Sequence, residues 1–323
     1  MYFRISASLL TEDNEGKLLL FAQRYDQDRI YVEFDDLSIA EAWINSLSRP
    51  HRERWKTILK HAIQLSAKFN IKKFYPPFLR LNVLDIRLSD WSLTKITLDD
   101  AFMLIDQATK IALENSRNDL MFIKTLLSEK DRKRIDTRMV NGHLEVLGGG
   151  NGELKKILEI RGVSPHFRIL SWTMFDSDAT VPGEIKEPTQ QLIDVCQSLD
   201  LVFHCLSKRA IENYICREIY ELSHPGPLNA KAQALYSLNE VQISHIDMKG
   251  GLSAEAKNSP LYHDVPPNIS DELAQGFGGR FAKKTYSCVE AHNSMHQAHI
   301  KNHALNEFGD KLNHLSCLLG RPI

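Results

Sequence analysis

The chain has 323 residues, 43% apolar and 25% charged, with a formal net charge of −1. It is long enough for two domains, or for one elaborated domain with a real core. The balance excludes a polybasic binder, whose hold on phosphate needs concentrated Lys and Arg, and no apolar run reaches the roughly 18 residues of a membrane span.

The start, "MYFRISASLLTEDNEGK", lacks a basic stretch followed by a long apolar one, so no secretion signal is read. Cys196, Cys205, Cys216, Cys288 and Cys317 are odd in number and show no CxxC spacing. A reduced, cytoplasmic protein is expected.

Three regions follow one another. Residues 1–106 read as an α+β accessory domain. "KLLLFAQ" and "RIYVEFD" are predicted strands, and "LSIAEAWINSLSRPHRERWKTILKHAIQLSAKF" has helical spacing broken at Pro50. Little chemistry is visible there, so scaffolding or partner binding is the default role.

Residues 107–225 alternate between strand and helix. "QATKIALE" is a predicted strand, and "NSRNDLMFIKTLLSEKDRKR" a helix with Leu120, Ile123, Leu126 and Leu127 on one face. "HLEVLGG" is a strand, followed by the helix "NGELKKILEI" with Asn151 at its N-cap. "FRILSWTMFD" reads as one long strand stopping in "DSDATVPGE". "DLVFHCL" is the last strand, with Ser207 capping a helix over "KRAIENYICREIYELS". Such alternation predicts an α/β, Rossmann-like parallel sheet, whose ligands bind at the carboxyl ends of the strands.

Those ends carry Glu114, Gly148 to Gly150, and Asp176 with Asp178. Two aspartates two apart on an extended stretch share a face, and carboxylates suit a hard cation such as Mg2+. The competing reading is a solvated polar turn. Gly148, Gly149, Gly150 and Asn151 are candidates for holding a phosphate at a helix N-terminus.

"IALENSRNDLMFIKTLL", "LGGGNGELKKIL", "MFDSDATVPGE" and "LSKRAIENYI" together resemble, in order, the Toprim domains of OLD-like nucleases, over about a third of the chain. The resemblance implies a Toprim-like core and phosphodiester hydrolysis of DNA or RNA with Mg2+ or Mn2+, as two ions. It also implies antiphage defence gated by an ATPase. Glu114, Asp176, Asp178 and Glu212 match the family's metal-binding acids. The family's second acid falls here on Asn118, leaving Asp119 one residue late as a further metal candidate. Lys249 matches a downstream lysine that would steady developing negative charge. The alternative for Glu212 is a surface pair with Lys208. No Walker loop is present, so an ATPase would be a separate chain. Nucleic acid, that ATPase and a second copy of the chain are the expected partners, with no membrane.

Two other readings compete. The glycine turn at 148–152 also suits a SAM-dependent methyltransferase, although its acid would be Glu145, one residue out of register. Alternatively the core is a non-catalytic binding module. In residues 226–323, read as a largely helical region, "GFGGRFAKK" is an anion-holding loop or a plain turn. His292, His296, His299 and His303, with Cys288 before them, line one predicted helical face. Zinc is the lesser reading; a polar, partly exposed face meeting a subunit or nucleic acid is the greater.

Overall fold

The structure, a computed structural model, describes residues 1–321 except Phe69. It is α/β, with two four-stranded sheets that are both wholly parallel. The first contains β1 (Tyr2–Ile5), β2 (Tyr31–Phe34), β3 (Arg80–Val83) and β4 (Lys95–Ile96), in the order β2-β1-β3-β4. Its crossovers are α1 (Glu15–Asp26), then α2 (Leu37–Ser46), α3 (Arg49–Lys68) and the single turn α4 (Ile71–Phe74); α5 (Leu98–Asp106) follows β4.

The N-terminal region is therefore a parallel α/β layer. "KLLLFAQ" is not a strand but part of α1, with Leu18, Phe21, Ala22 and Tyr25 buried. That spacing of three and four is helical; three adjacent leucines gave the run the look of a strand. The strand that was missed is "YFRI", which pairs with both β2 and β3. Pro50 does not break the helix: it sits in the first turn of α3, where a missing N–H costs nothing.

The second sheet holds β5 (Thr109–Leu113), β6 (Leu144–Leu147), β7 (Ser171–Phe175) and β8 (Phe203–Cys205), in the order β6-β5-β7-β8. Every residue of β5 and β7 is buried, as expected of central parallel strands covered on both faces. Between the strands run α6 (Asn118–Leu126), α7 (Glu129–Val140), α8 (Asn151–Arg161), α9 (Pro165–Leu170) and α10 (Glu187–Ser198).

Three boundaries differ from the sequence reading. The helix after β5 is two helices, because the Ser128 hydroxyl accepts the Asp131 amide at 3.2 Å and starts α7 afresh. "FRIL" is helix α9, opened by Pro165, and only "SWTMF" is strand. Gly150, at φ 88°, is the N-cap of α8, so Asn151 is its first helical residue.

After β8 only helices follow among the described residues. "IENY" is a 3-10 turn (Ile211–Tyr214), then come α11 (Arg217–Ser223), α12 (Ala230–Ser237), α13 (Glu240–His245) and α14 (Ala254–Lys257). The last are α15 (Pro267–Glu272), α16 (Phe281–Tyr286), α17 (His292–Lys301) and α18 (Asp310–Leu319). One hydrophobic core runs through both sheets and these helices. A smaller one lies between the second sheet and α8 and α10, around Leu154, Phe175 and Leu192. Among the described residues no helix is long and apolar enough to cross a membrane.

Two of the four histidines of the stripe, His292 and His299, belong to the core. His299 Nε2 lies 3.0 Å from the Thr125 hydroxyl and His292 Nε2 lies 2.8 Å from the Tyr286 carbonyl. Burial drives the His299 pKa down to about 3. His303 lies beyond the end of α17 at φ 57° and is exposed. The stripe is thus partly exposed, as expected from the sequence: His292 and His299 are buried, against Tyr286 and Thr125, His296 is half-buried and His303 is exposed.

Candidate active site

Strand order makes the site. In a sheet ordered 2-1-3-4, chains leave neighbouring strands in opposite directions between the first and third, opening a crevice at their carboxyl ends. Here those strands are β5 and β7. Glu114 directly follows β5, and Asp176 directly follows β7.

The glycine cluster grips Glu114. The amides of Gly149 and Gly150 donate to the Glu114 carbonyl at 3.3 and 2.8 Å. A Cβ on Gly148 would stand 2.5 Å from the Leu113 carbonyl oxygen, so only glycine lets the two turns approach this closely. This changes the expected role of the cluster. The Gly149 and Gly150 amides are already committed to the backbone and do not face outward for phosphate. The free amides of α8 begin at Asn151, whose own Oδ1 is buried without a partner.

Asp119, one residue later than the resembled pattern, nevertheless faces inward from the first turn of α6. It is 4% exposed, and its carboxylate accepts the Asn115 amide at 2.7 Å. The D-x-D pair departs from expectation in another way. Asp178 has φ 54°, so the segment is not extended and its two side chains do not share a direction. The Asp178 amide donates to the Arg209 carbonyl at 2.9 Å, and the Ser177 hydroxyl to the Lys208 carbonyl at 2.9 Å. These bonds hold the left-handed turn, which Asp tolerates better than most residues.

Glu212 is 2% exposed, and Lys249 Nζ reaches its Oε1 at 3.3 Å. Lys208 lies instead over the Tyr214 ring, so the surface pair is excluded. The rest of "IENY" anchors the glutamate. Asn213 Nδ2 donates to the Ile243 and Ile246 carbonyls at 2.7 and 3.0 Å, and the Tyr214 hydroxyl donates to Glu307 at 2.7 Å. Glu307 also receives the Ser207 hydroxyl and lies 2.8 Å from His204. Burial opposes its charge, but those hydrogen bonds outweigh it and hold its pKa below the usual range. Ser207 is thus spent on Glu307 and caps no helix. Sequence reasoning missed Glu307, which lies about 100 residues away in an unremarkable "NEFG".

Electrostatically the site is strained. Burial, followed by the charges of Glu114 and Glu212, raises Asp119 to about 7 although the Asn115 amide pulls it down. Burial, then Asp119, Glu114 and Glu212, drives Asp176 well above the usual carboxyl range. Glu114 is raised by burial and then by Asp178. Burial disfavours the Lys249 ammonium, but Glu212, Asp176 and Glu114 more than offset that and raise its pKa. Four carboxyls, Glu114, Asp119, Asp176 and Glu212, thus share one ammonium, with Asp178 beside Glu114. Burying uncompensated charge costs several kcal/mol per ion, so a proton or a further cation must complete the balance. One oxygen of Glu114 and one of Glu212 are buried without any hydrogen-bond partner, a cost that a proton, a water or an ion would relieve. Oxygen donors of this kind suit Mg2+ or Mn2+. Among the described residues no three His, Cys, Asp or Glu side chains are grouped so as to hold a metal ion.

Glu145, the acid a methyltransferase would use, lies in β6 and pairs with Arg161 at 3.3 Å. "GFGG" is no loose turn: the Phe277 amide donates to the Met248 carbonyl at 2.7 Å and the Gly278 amide to the Lys249 carbonyl at 3.2 Å. It braces the loop that carries Lys249, while Arg280, Lys283 and Lys284 stay exposed.

Comparison with family models, curated proteins and solved structures finds no match to this chain.

Proposed function

We propose that the chain is a Mg2+- or Mn2+-dependent phosphodiester hydrolase acting on DNA or RNA, a Toprim-like nuclease of the OLD type. The observation that carries the reading is the convergence of Glu114, Asp119, Asp176 and Glu212 on Lys249, with Asp178 beside Glu114, in the crevice between β5 and β7.

Glu114, Asp119, Asp176 and Asp178 would hold the divalent cations. When bound, these supply an acidified water and neutralise charge on the phosphate. Glu212 orients Lys249 through the 3.3 Å ion pair, and the ammonium steadies negative charge developing on the phosphoryl oxygens. The glycine turn holds Glu114 by its carbonyl, so the carboxylate needs no reorganisation of the strand end. With a net charge of −1 the chain does not concentrate itself on nucleic acid. That suits an enzyme recruited and gated by a partner, here an ATPase in antiphage defence.

The test compares wild type with Asp176→Ala and Lys249→Ala on plasmid, single-stranded DNA and total RNA, with Mg2+, Mn2+ or EDTA. It is repeated in cells with and without a neighbouring ATPase. Metal-dependent cutting lost in both variants upholds the reading. Cellular toxicity that needs Asp176 and the ATPase, with the purified chain silent, upholds the gated form. Silence in every setting refutes it.

A further inference from the structure

A cavity of about 400 Å3 lies beside the acid cluster, and none of the cluster's acids lines it. It shares walls with the two loops that matter. On one side are Thr180 and Val181, just past Asp178. On the other is the 245–253 segment around Lys249, where the Asp247 carboxylate accepts the Lys249 and Gly250 amides at 2.9 and 2.8 Å.

The chemistry of the lining selects the occupant. Its Arg and Lys are already matched, Arg209 with Asp247 at 3.2 Å and Lys186 with Glu184, while His245 Nδ1 lies 3.3 Å from the Ala179 carbonyl and Glu255 adds a further carboxylate to the wall. A phosphate would find no unspent positive charge there. Ile246 and Leu252 contribute buried apolar surface. The Ser259 hydroxyl is buried without any hydrogen-bond partner, which costs about 1–3 kcal/mol unless a ligand supplies one. Polar and apolar surface line the cavity in roughly equal measure, which suits a flat organic molecule with apolar faces and a polar edge. The wall is also rigid. Gly251 sits at φ 91°, and the Leu252 amide donates to the Leu273 carbonyl at 2.7 Å; the brace from "GFGG" lies behind it.

We propose that this cavity receives one unstacked nucleobase of the strand being cut. It would read that base at a fixed offset from the phosphate held by the acids. The inference rests on the nuclease reading for its substrate. Enzymes that accept a base out of the stack identify it by its polar edge, at the cost of unstacking. Here the Ser259 hydroxyl, which has no partner within the protein, would supply a polar atom for that edge.

The test uses the full chain, as wild type, Ala256→Trp, which fills the slot, and Ser259→Val, which removes the unpartnered hydroxyl. Both variants are first checked for folding by thermal melting. Cleavage ends on a randomised oligonucleotide pool are sequenced, and binding of the free nucleosides is followed by ligand-observed NMR without metal. The expected result is a preference for one base at a fixed offset from the cut, reduced at least tenfold in either variant. Nucleoside binding should fall in parallel. A preference that survives Ala256→Trp, or cutting with no base preference, overturns the proposal. If the chain cuts nothing here and shows no Asp176-dependent toxicity in cells with the ATPase, nucleoside binding lost in the variants upholds the pocket and rejects the nuclease reading. No cutting and no nucleoside binding overturns the pocket proposal, and the cellular test decides the nuclease reading separately.

Discussion

Neutralising Asp119 should stabilise the metal-free protein, and the size of the effect follows from the structure. Its carboxyl titrates near 3.8 in an open chain and at about 7 in the fold. A raised folded pKa means that its stabilising contribution is complete below the unfolded value. It is lost as pH climbs through the folded one. At about 1.4 kcal/mol per tenfold, keeping Asp119 ionised above neutrality costs up to about 4 kcal/mol. Asn keeps the acceptor that receives the Asn115 amide at 2.7 Å and carries no charge. Because the neighbouring acids share the cluster's protons and relax together, about half of that should be recovered, roughly 2 kcal/mol. For a chain of this length that is about 4 °C in Tm. The assay is thermal melting of wild type and Asp119→Asn in EDTA from pH 4 to 8. The variant should lead at pH 8, and its advantage should vanish toward pH 4. Millimolar Mn2+ should then raise the wild type and not the variant. A variant that melts lower at pH 8, or an advantage independent of pH, would refute the account of the cluster.

His299 and His314 are both buried with pKa values driven to about 3, so protons bind the unfolded chain first as pH falls below 6.5. Each should lose about 2 kcal/mol of stability by pH 5, and urea titrations of His299→Gln against wild type at pH 7.5 and 5 should show the gap between them shrinking by that amount. Gly148→Ala forces a Cβ onto the Leu113 carbonyl at 2.5 Å and should cost about 2 kcal/mol or more. Gly152→Ala, with nothing within 4 Å, should gain about 0.5–1 kcal/mol in α8 by helix propensity. Chemical denaturation of the pair separates the glycine that the close approach requires from the one it does not. Glu307→Ala strands the donors of Tyr214, Ser207 and His204 and should cost about 3 kcal/mol. Faster amide exchange at Glu212 should accompany it, and unchanged exchange there would sever Glu307 from the site.

Local pattern was enough to read the α/β class and the strand ends at Glu114 and Asp176, because buried parallel strands announce themselves as short apolar runs between helical spacings. Glu212 and Lys249 emerged only from resemblance, since nothing within "IENY" or "HIDMKGG" says that Lys249 will meet Glu212 across 37 positions. Where one run was compatible with two periods, local reading failed. "KLLLFAQ" became helix because Leu18, Phe21, Ala22 and Tyr25 bury one face against the sheet, and "FRIL" became helix because Pro165 opens one. Tertiary structure also decided the work of the glycines: their amides are used up on the Glu114 carbonyl, a partner more than thirty residues away. It turned His292 and His299 inward, against Tyr286 and Thr125, and left His303 outside. Sequence carries periodicity and residue chemistry. Which side chains share a dry space, and hence which carboxyls must find a proton or a cation, depends on strand order and long-range contacts that no local window contains.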